Sequence, residues 1–250
     1  MTELLRAEKL TKRFGGLLAN DAVDFSIASA EIHALIGPNG AGKTTFLALL
    51  AGELAPDGGE IFLAGRNVTG LATPARALAG IGRSFQVTSV LGSFSVLENV
   101  ALAAQAHDGT SFRFWRAADR EAALNARAIA ALEQVSLAGR QAARAENLSH
   151  GEHRLLEIAM ALAGQPKLLL MDEPTSGMGP QESQAMVELF RSFRGRYGIL
   201  LIEHDMDVVF AVADRITVLA NGKVIASGPP AAIAADEAVH RAYLGDKRHA

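Results

Sequence analysis

The stretch that most constrains this chain is Gly37-Pro38-Asn39-Gly40-Ala41-Gly42-Lys43-Thr44-Thr45. It matches G-x-x-x-x-G-K-[ST] in full and lies between two apolar runs, Ile32–Ile36 and Phe46–Ala51, so it reads as strand, turn and helix. Gly37, Gly40 and Gly42 allow a tight turn whose N–H groups point inward, with no Cβ in the way of a phosphate. Lys43 brings a point charge to β- and γ-phosphates, and the Thr44 hydroxyl suits Mg²⁺. The helix that follows aims its positive end at the same place. This pattern implies a nucleoside triphosphate and leaves its use open.

Composition narrows the class. At 250 residues, 49% apolar and 20% charged, the chain is globular and long enough for a sizeable core. Its net charge of −3, with no long basic run, argues against nucleic acid as a partner. Without cysteine there are no disulfides or thiolate metal sites. Residues Met1–Leu4 lack a signal layout, and no apolar run nears the ~20 residues that span a bilayer, so a membrane role would come through a partner.

Residues 4–36 read as short strands of antiparallel character, with Val23–Ile27 alternating apolar and polar. Phe14, beside Gly15 and Gly16, is either a core ring or a platform for an adenine. Pro56–Gly59 reads as a turn and Glu60–Leu63 as a strand; another strand runs from Gly80 to Gln86. From Ser95 the chain turns helical. Ser95 and Glu98 form a capping box, and alanine-rich helices are expected over Asn99–His107 and Ala117–Leu137. Between them Phe112, Phe114 and Trp115 form either a packing joint or a partner surface. Ser149 and Glu152 make a second capping box before a helical pattern over His153–Ala163; it is either a well-capped helix or an exposed anion site.

Two apolar strands then end in polar residues. Leu168–Met171 leads to Asp172 and Glu173, and Ile199–Ile202 leads to Glu203, His204 and Asp205. Ligands of open α/β sheets bind at the carboxyl ends of strands. Asp172 therefore suits Mg²⁺, and Glu173 suits a general base for an attacking water. His204 reaches the same end, as a structural side chain or a γ-phosphate contact. Asn221-Gly222 marks a type I′ hairpin, and Pro229–Leu244 reads as two short helices.

Taken in order, these pieces resemble the ATP-binding subunit of an ABC transporter, from about Glu3 to Gly245. Gly37–Thr45 is similar to the family's Walker A, Gln86 to its Q-loop glutamine, and Leu148–Glu152 to its signature. Leu168–Glu173 is similar to Walker B, Ser176–Gly179 to the D-loop, and His204 to the switch histidine. Lys12–Leu17, Gly80–Gln86, Ser95–Val100 and Ala242–Gly245 resemble the ATPases of branched-chain amino acid importers, a group that includes urea and short-amide importers. A soluble ABC ATPase of DNA repair or translation is a further alternative, but such proteins usually carry coiled-coil insertions or a second cassette.

The resemblance implies an α/β fold: a P-loop (RecA-like) core with a mostly parallel sheet, an N-terminal antiparallel β subdomain and a helical insert. It forms one ATPase domain over 1–250, with the core at about 1–94 and 165–250 and the helical subdomain at about 95–164. ATP and Mg²⁺ are the implied cofactors. Phe14 and Gly37–Thr45 would bind ATP; Thr44, Gln86 and Asp172 would hold Mg²⁺; Glu173, His204 and Gln86 would serve hydrolysis. Ser149, His150, Gly151 and Glu152 would face the nucleotide of a second ATP-binding subunit, more often a paralogue, in a head-to-tail dimer. Permease subunits and, indirectly, a substrate-binding protein complete the expected assembly at the cytoplasmic face of the membrane. Three residues depart from the family pattern: His150 for glycine, Glu152 for glutamine, and Gly179 where aspartate or asparagine is common.

Overall fold

The computed structural model describes residues 2–83, 90–107 and 117–244. The chain opens with two twelve-residue strands, β1 (Glu3–Phe14) and β2 (Leu17–Ala28), where several short ones were expected. The apparent breaks are bulges. Pairing shifts register between Ala7 and Leu10, and Lys9 and Ala22 take left-handed backbone conformations, which bend the strands without ending them. Val23, Phe25 and Ile27 are buried while Asp24 and Ser26 are exposed, as the alternation predicts.

β3 (Ile32–Ile36) is wholly buried and leads through the glycine-rich turn into α1 (Lys43–Ala51). β4 (Gly58–Leu63) and β5 (Arg66–Asn67) complete an antiparallel sheet in the order β2-β1-β4-β5. Next come α2 (Thr73–Ala79) and β6 (Ile81–Arg83). Buried Arg76 of α2 donates to the carbonyls of Leu49 and Leu50, covering the last turn of α1.

Three helices follow: α3 (Val96–His107), α4 (Ala117–Gln134) and α5 (His150–Ala163). α4 stops three residues before the expected Leu137 because Ser136 turns left-handed, and the Leu137 N–H then reaches back to the Leu132 carbonyl. α5 starts three residues earlier than its apolar pattern, directly after the Ser149 cap. The chain closes with β7 (Leu168–Asp172), α6 (Pro180–Phe193), β8 (Gly198–Ile202), α7 (Met206–Val212), β9 (Arg215–Ala220), β10 (Lys223–Gly228), α8 (Pro230–Ala234) and α9 (Glu237–Leu244).

The second sheet has the order β10-β9-β3-β8-β7-β6, parallel except for the edge strand β10. β3, β7 and β8 are buried at every position, the pattern of strands covered on both faces. Alternate residues serve two cores. Leu168, Leu170, Leu200 and Ile202 pack with α1 and the antiparallel sheet, through Phe46, Leu47, Leu5 and Ile61. Leu169, Met171, Ile199 and Leu201 pack on the other face, with Val100, Leu132, Leu156 and Leu162 of α3–α5 and Phe190 of α6. Helices on both faces leave the carboxyl ends of β3, β7 and β8 free of covering layers, and the polar residues gather there.

Candidate active site

The turn after β3 is shaped by its own chain. A Cβ at Gly37 would lie 2.0 Å from the Leu219 carbonyl oxygen of β9, and one at Gly42 would lie 2.1 Å from the Ala19 oxygen of β2. Both glycines are thus required by neighbouring strands, whereas Gly40 has open space and a left-handed φ of 77°. The hairpin between β9 and β10 braces the turn. Asn221 and Gly222 have φ of 48° and 76°, as a type I′ turn needs. The Gly222 N–H donates to the Ala41 carbonyl, and the Gly222 carbonyl accepts from Asp21 of β2. Asn20, fully buried, donates to the Gly42 carbonyl at 3.3 Å.

Lys43 is nearly buried, and its Nζ donates to the carbonyls of Gly37 at 2.7 Å and Pro38 at 3.1 Å. Burial holds its pKa below that of a free lysine, opposed by the charges of Glu173 and Asp172. No acidic residue occupies the first turn of α1 and no side chain caps it, so its leading N–H groups remain available to an anion. Pro38, Asn39, Thr44 and Thr45 lie along the outside of the turn, with Asn39 and Thr44 exposed.

β7 and β8 pair in parallel with Asp172 opposite Ile202, which brings the two polar strand ends side by side. Asp172 is 3% exposed, and neither carboxylate oxygen has a hydrogen-bond partner among the described residues. Burial raises its pKa, while Arg83 and Lys43 pull it back and Glu173 adds to the rise. A buried carboxylate with both oxygens unpaired costs several kcal/mol unless a cation or its water shell satisfies it. That donor set, with the Thr44 hydroxyl, fits a hard oxygen-seeking ion such as Mg²⁺ held by few protein ligands. Glu173 follows at a left-handed φ of 49°, and its Oε1 accepts from His204 Nε2 at 2.5 Å. Among the described residues no hydrogen bond occupies its Oε2.

Two expected site groups share no hydrogen bond or ion pair with this cluster among the described residues. Phe14, at the end of β1, is 46% exposed and is no core ring; Lys12 Nζ sits 5.6 Å from its centroid. Ser149–Glu152 begins α5, and no hydrogen bond or ion pair among the described residues joins it to Lys43, Asp172, Glu173 or His204. The second capping box is formed, with Ser149 Oγ accepting from the Glu152 N–H and Glu152 Oε2 from the Ser149 N–H. Ser149 and His150 are exposed; Gly151 is buried, with the Glu182 carboxylate 2.7 Å from where its Cβ would be. His150 Nε2 donates to the Ser176 carbonyl at 3.1 Å, so the residue that departs from the family pattern ties α5 to the loop after β7. Gln86 lies outside the described residues, as do Phe112, Phe114, Trp115 and Gly245.

Residues 20–176, more than half the chain, match the family model of the ABC transporter. The chain belongs to the ABC transporter family. It is an ATPase of that family, and its last part, residues 223–249, matches the model of the branched-chain amino acid ATP-binding cassette transporter. The chain is 39% identical to the high-affinity branched-chain amino acid transport ATP-binding protein LivG of Salmonella typhimurium, over 97% of this chain and 98% of the relative. It is 36% identical to BraF of Pseudomonas aeruginosa over the same shares, and 34% identical to the lipopolysaccharide export ATP-binding protein LptB of Acidithiobacillus ferridurans over 99% of both. Among solved structures, the ADP conformation of MJ1267, an ATP-binding cassette of an ABC transporter, superposes with a TM-score of 0.86 at 29% identity, covering 98% of this chain and all of that one.

In this ABC ATPase the residue types of the cluster were legible in the sequence, but some of their supports were not. Asn20 and Thr175 drew no attention, and Glu203 entered only as one of the polar residues that end its strand. All three are buried, and each holds a functional loop through a bond to a residue more than 20 positions away. An acid directly before a strand-end histidine, as in Glu203-His204, is the one signal that could have pointed to Glu203.

Proposed function

We propose that this subunit hydrolyses Mg²⁺-ATP to power an importer of branched-chain or other hydrophobic amino acids. The observation that carries the chemistry is the convergence of Lys43, Asp172, Glu173 and His204 at the carboxyl ends of β3, β7 and β8. Gly37–Thr45 binds the phosphates through backbone N–H groups and Lys43, and Phe14 offers a face to the adenine. Thr44, Asp172 and Gln86 would hold Mg²⁺, which would supply charge neutralisation to the phosphates. Glu173 Oε2 accepts a proton from the water in line with the γ-phosphate as the bond to the bridging oxygen breaks, and His204 orients Glu173 and contacts the γ-phosphate.

The cargo reading rests on the length and level of similarity to LivG and BraF and on the match over residues 223–249. Among the described residues no helix is long and apolar enough to cross a membrane, so a permease must supply the path. A mostly apolar groove of about 250 Å³ between the core and α3/α5 supports the contact; Ala51, Ala77, Ile81, Ala103, Ala106 and Met160 are among its walls. It suits a cytoplasmic helix of the permease, and residues 95–164 are read as the helical subdomain. Ser149 and its neighbours act on the ATP of a second ATP-binding subunit, since α5 begins with an exposed hydroxyl away from the chain's own site. The assembly sits on the cytoplasmic face of the membrane.

Glu173→Gln tests the chemistry. Phosphate release should fall by about 10²-fold or more while ATP affinity stays, because the base is lost and the phosphate cradle is not. Unchanged phosphate release would overturn the role of Glu173. Uptake of labelled leucine against labelled urea, in vesicles holding the subunit with its own permeases, decides the cargo.

A further inference from the structure

The acid and the histidine stand on separate loops, and a buried carboxylate between those loops fixes one against the other. Glu203 is 4% exposed. Its Oε1 accepts from the Thr175 N–H at 2.9 Å and from the Thr175 hydroxyl at 2.6 Å. Its Oε2 accepts from the His204 N–H at 3.1 Å. An interior carboxylate is costly unless donors satisfy it, and charge-assisted bonds of this kind are about twice as strong as neutral ones. Thr175 is itself buried and lies two residues beyond Glu173. One residue before Glu203, the Ile202 carbonyl accepts from the Glu173 N–H at 2.9 Å.

These bonds form a ring. It runs from Glu173 along the chain to Thr175, across to Glu203, on to His204, and back to Glu173 through the 2.5 Å bond. Within it Glu173 holds a φ of 49°, a conformation that a long side chain adopts only where its surroundings over-determine it.

We propose that Glu203 is a positioning residue for ATP hydrolysis: through Thr175 and the His204 backbone it clamps the loop after β7 to the loop after β8 and so sets the Glu173–His204 pair. The clamp rests on the roles proposed above for Glu173 and His204. Its hydrogen bonds among the described residues go to Thr175 and His204 and none to the Gly37–Thr45 turn, so its loss acts on turnover and not on binding. Thr175 must give both a hydroxyl and an N–H to one carboxylate oxygen. Serine reproduces this; valine keeps the shape and loses the hydroxyl.

The test is steady-state ATPase kinetics on the full chain. Thr175→Val and Glu203→Gln should each lower kcat by about tenfold or more with KM held within about twofold, since a small misplacement of a catalytic group costs rate and not ground-state binding. Thr175→Ser should restore kcat to within about twofold of the parent. With His204→Gln already in place, adding Glu203→Gln should cost no more than about twofold further, because the pair it sets is gone. Parental kcat in both Thr175→Val and Glu203→Gln overturns the clamp. So does a Glu203→Gln loss that multiplies the His204→Gln loss in full, or a Thr175→Ser variant as slow as Thr175→Val. Turnover that survives Glu173→Gln instead overturns the reading of the site on which the clamp rests.

Discussion

His33 and Asp172 sit at opposite ends of the parallel strands, and burial moves both away from their ordinary titration. The His33 ring packs 4.5 Å from Phe25 and shares a 2.8 Å hydrogen bond with the Thr217 hydroxyl. Burial, helped by the Arg215 charge, pushes its pKa down to about 3. The folded state therefore keeps His33 neutral while the unfolded chain takes up a proton below the ordinary histidine value of 6.5, so stability present above that pH is lost as pH falls toward 3. Between pH 7 and pH 5 His33 should cost about 2 kcal/mol. Urea unfolding of the parent and of His33→Gln at both pH values checks this, and equal pH dependence in the two would refute it. The same scale shows what a sequence conveys. Lys43, Asp172, Glu173 and His204 are legible because a motif or a strand end announces them. Asn20 and Glu203 are not, since a polar residue near a strand end normally faces water; what buries them is a partner 22 or 28 positions away.

The elements carry a cleaner comparison, because the chain has two capping boxes of the same build. Ser95 and Glu98 exchange bonds at the start of α3, and Ser149 and Glu152 do so at the start of α5. Each Ser→Ala change should cost about 1 kcal/mol of stability, read as a shift in the melting midpoint. Only Ser149→Ala should also slow ATP turnover by the assembled ATPase pair, since only that hydroxyl is assigned to a nucleotide. Equal turnover in the two variants would reduce Ser149 to a cap. The starts of α3 and α5 were legible to within three residues from such signals, whereas α2, α6 and α7 were not read. The long strands β1 and β2 were not, because bulges at Lys9 and Ala22 break the period-two pattern that marks a strand while leaving the pairing intact. The Asn221-Gly222 turn was read correctly as a hairpin, but its use was hidden. Its hydrogen bond to Ala41 makes it a brace for the phosphate turn, and a brace is a contact between distant segments.

At the scale of the whole molecule, no hydrogen bond or ion pair among the described residues joins the start of α5 to the cluster around Lys43, and the proposed head-to-tail pairing makes them two half-sites. A second ATP-binding subunit would bring each to its complement. In a Glu173→Gln background, ATP should drive the chain to the size of a dimer. Adding Ser149→Arg should leave monomers that still bind nucleotide. Dimers that persist on size exclusion would sink the head-to-tail arrangement. The fold class was legible because strand–helix alternation dictates a parallel sheet, whereas the pairing order β10-β9-β3-β8-β7-β6 came only with the structure. The phosphate turn, wedged between Leu219 and Ala19 and bonded to Gly222, carries one more consequence. Its shape is a property of β2, β9 and the hairpin turn after β9, and not of its guest. Binding ATP then need not fund the ordering of a loop, so affinity is not taxed by a rare competent conformer. Release of ADP likewise requires no local unfolding of this turn.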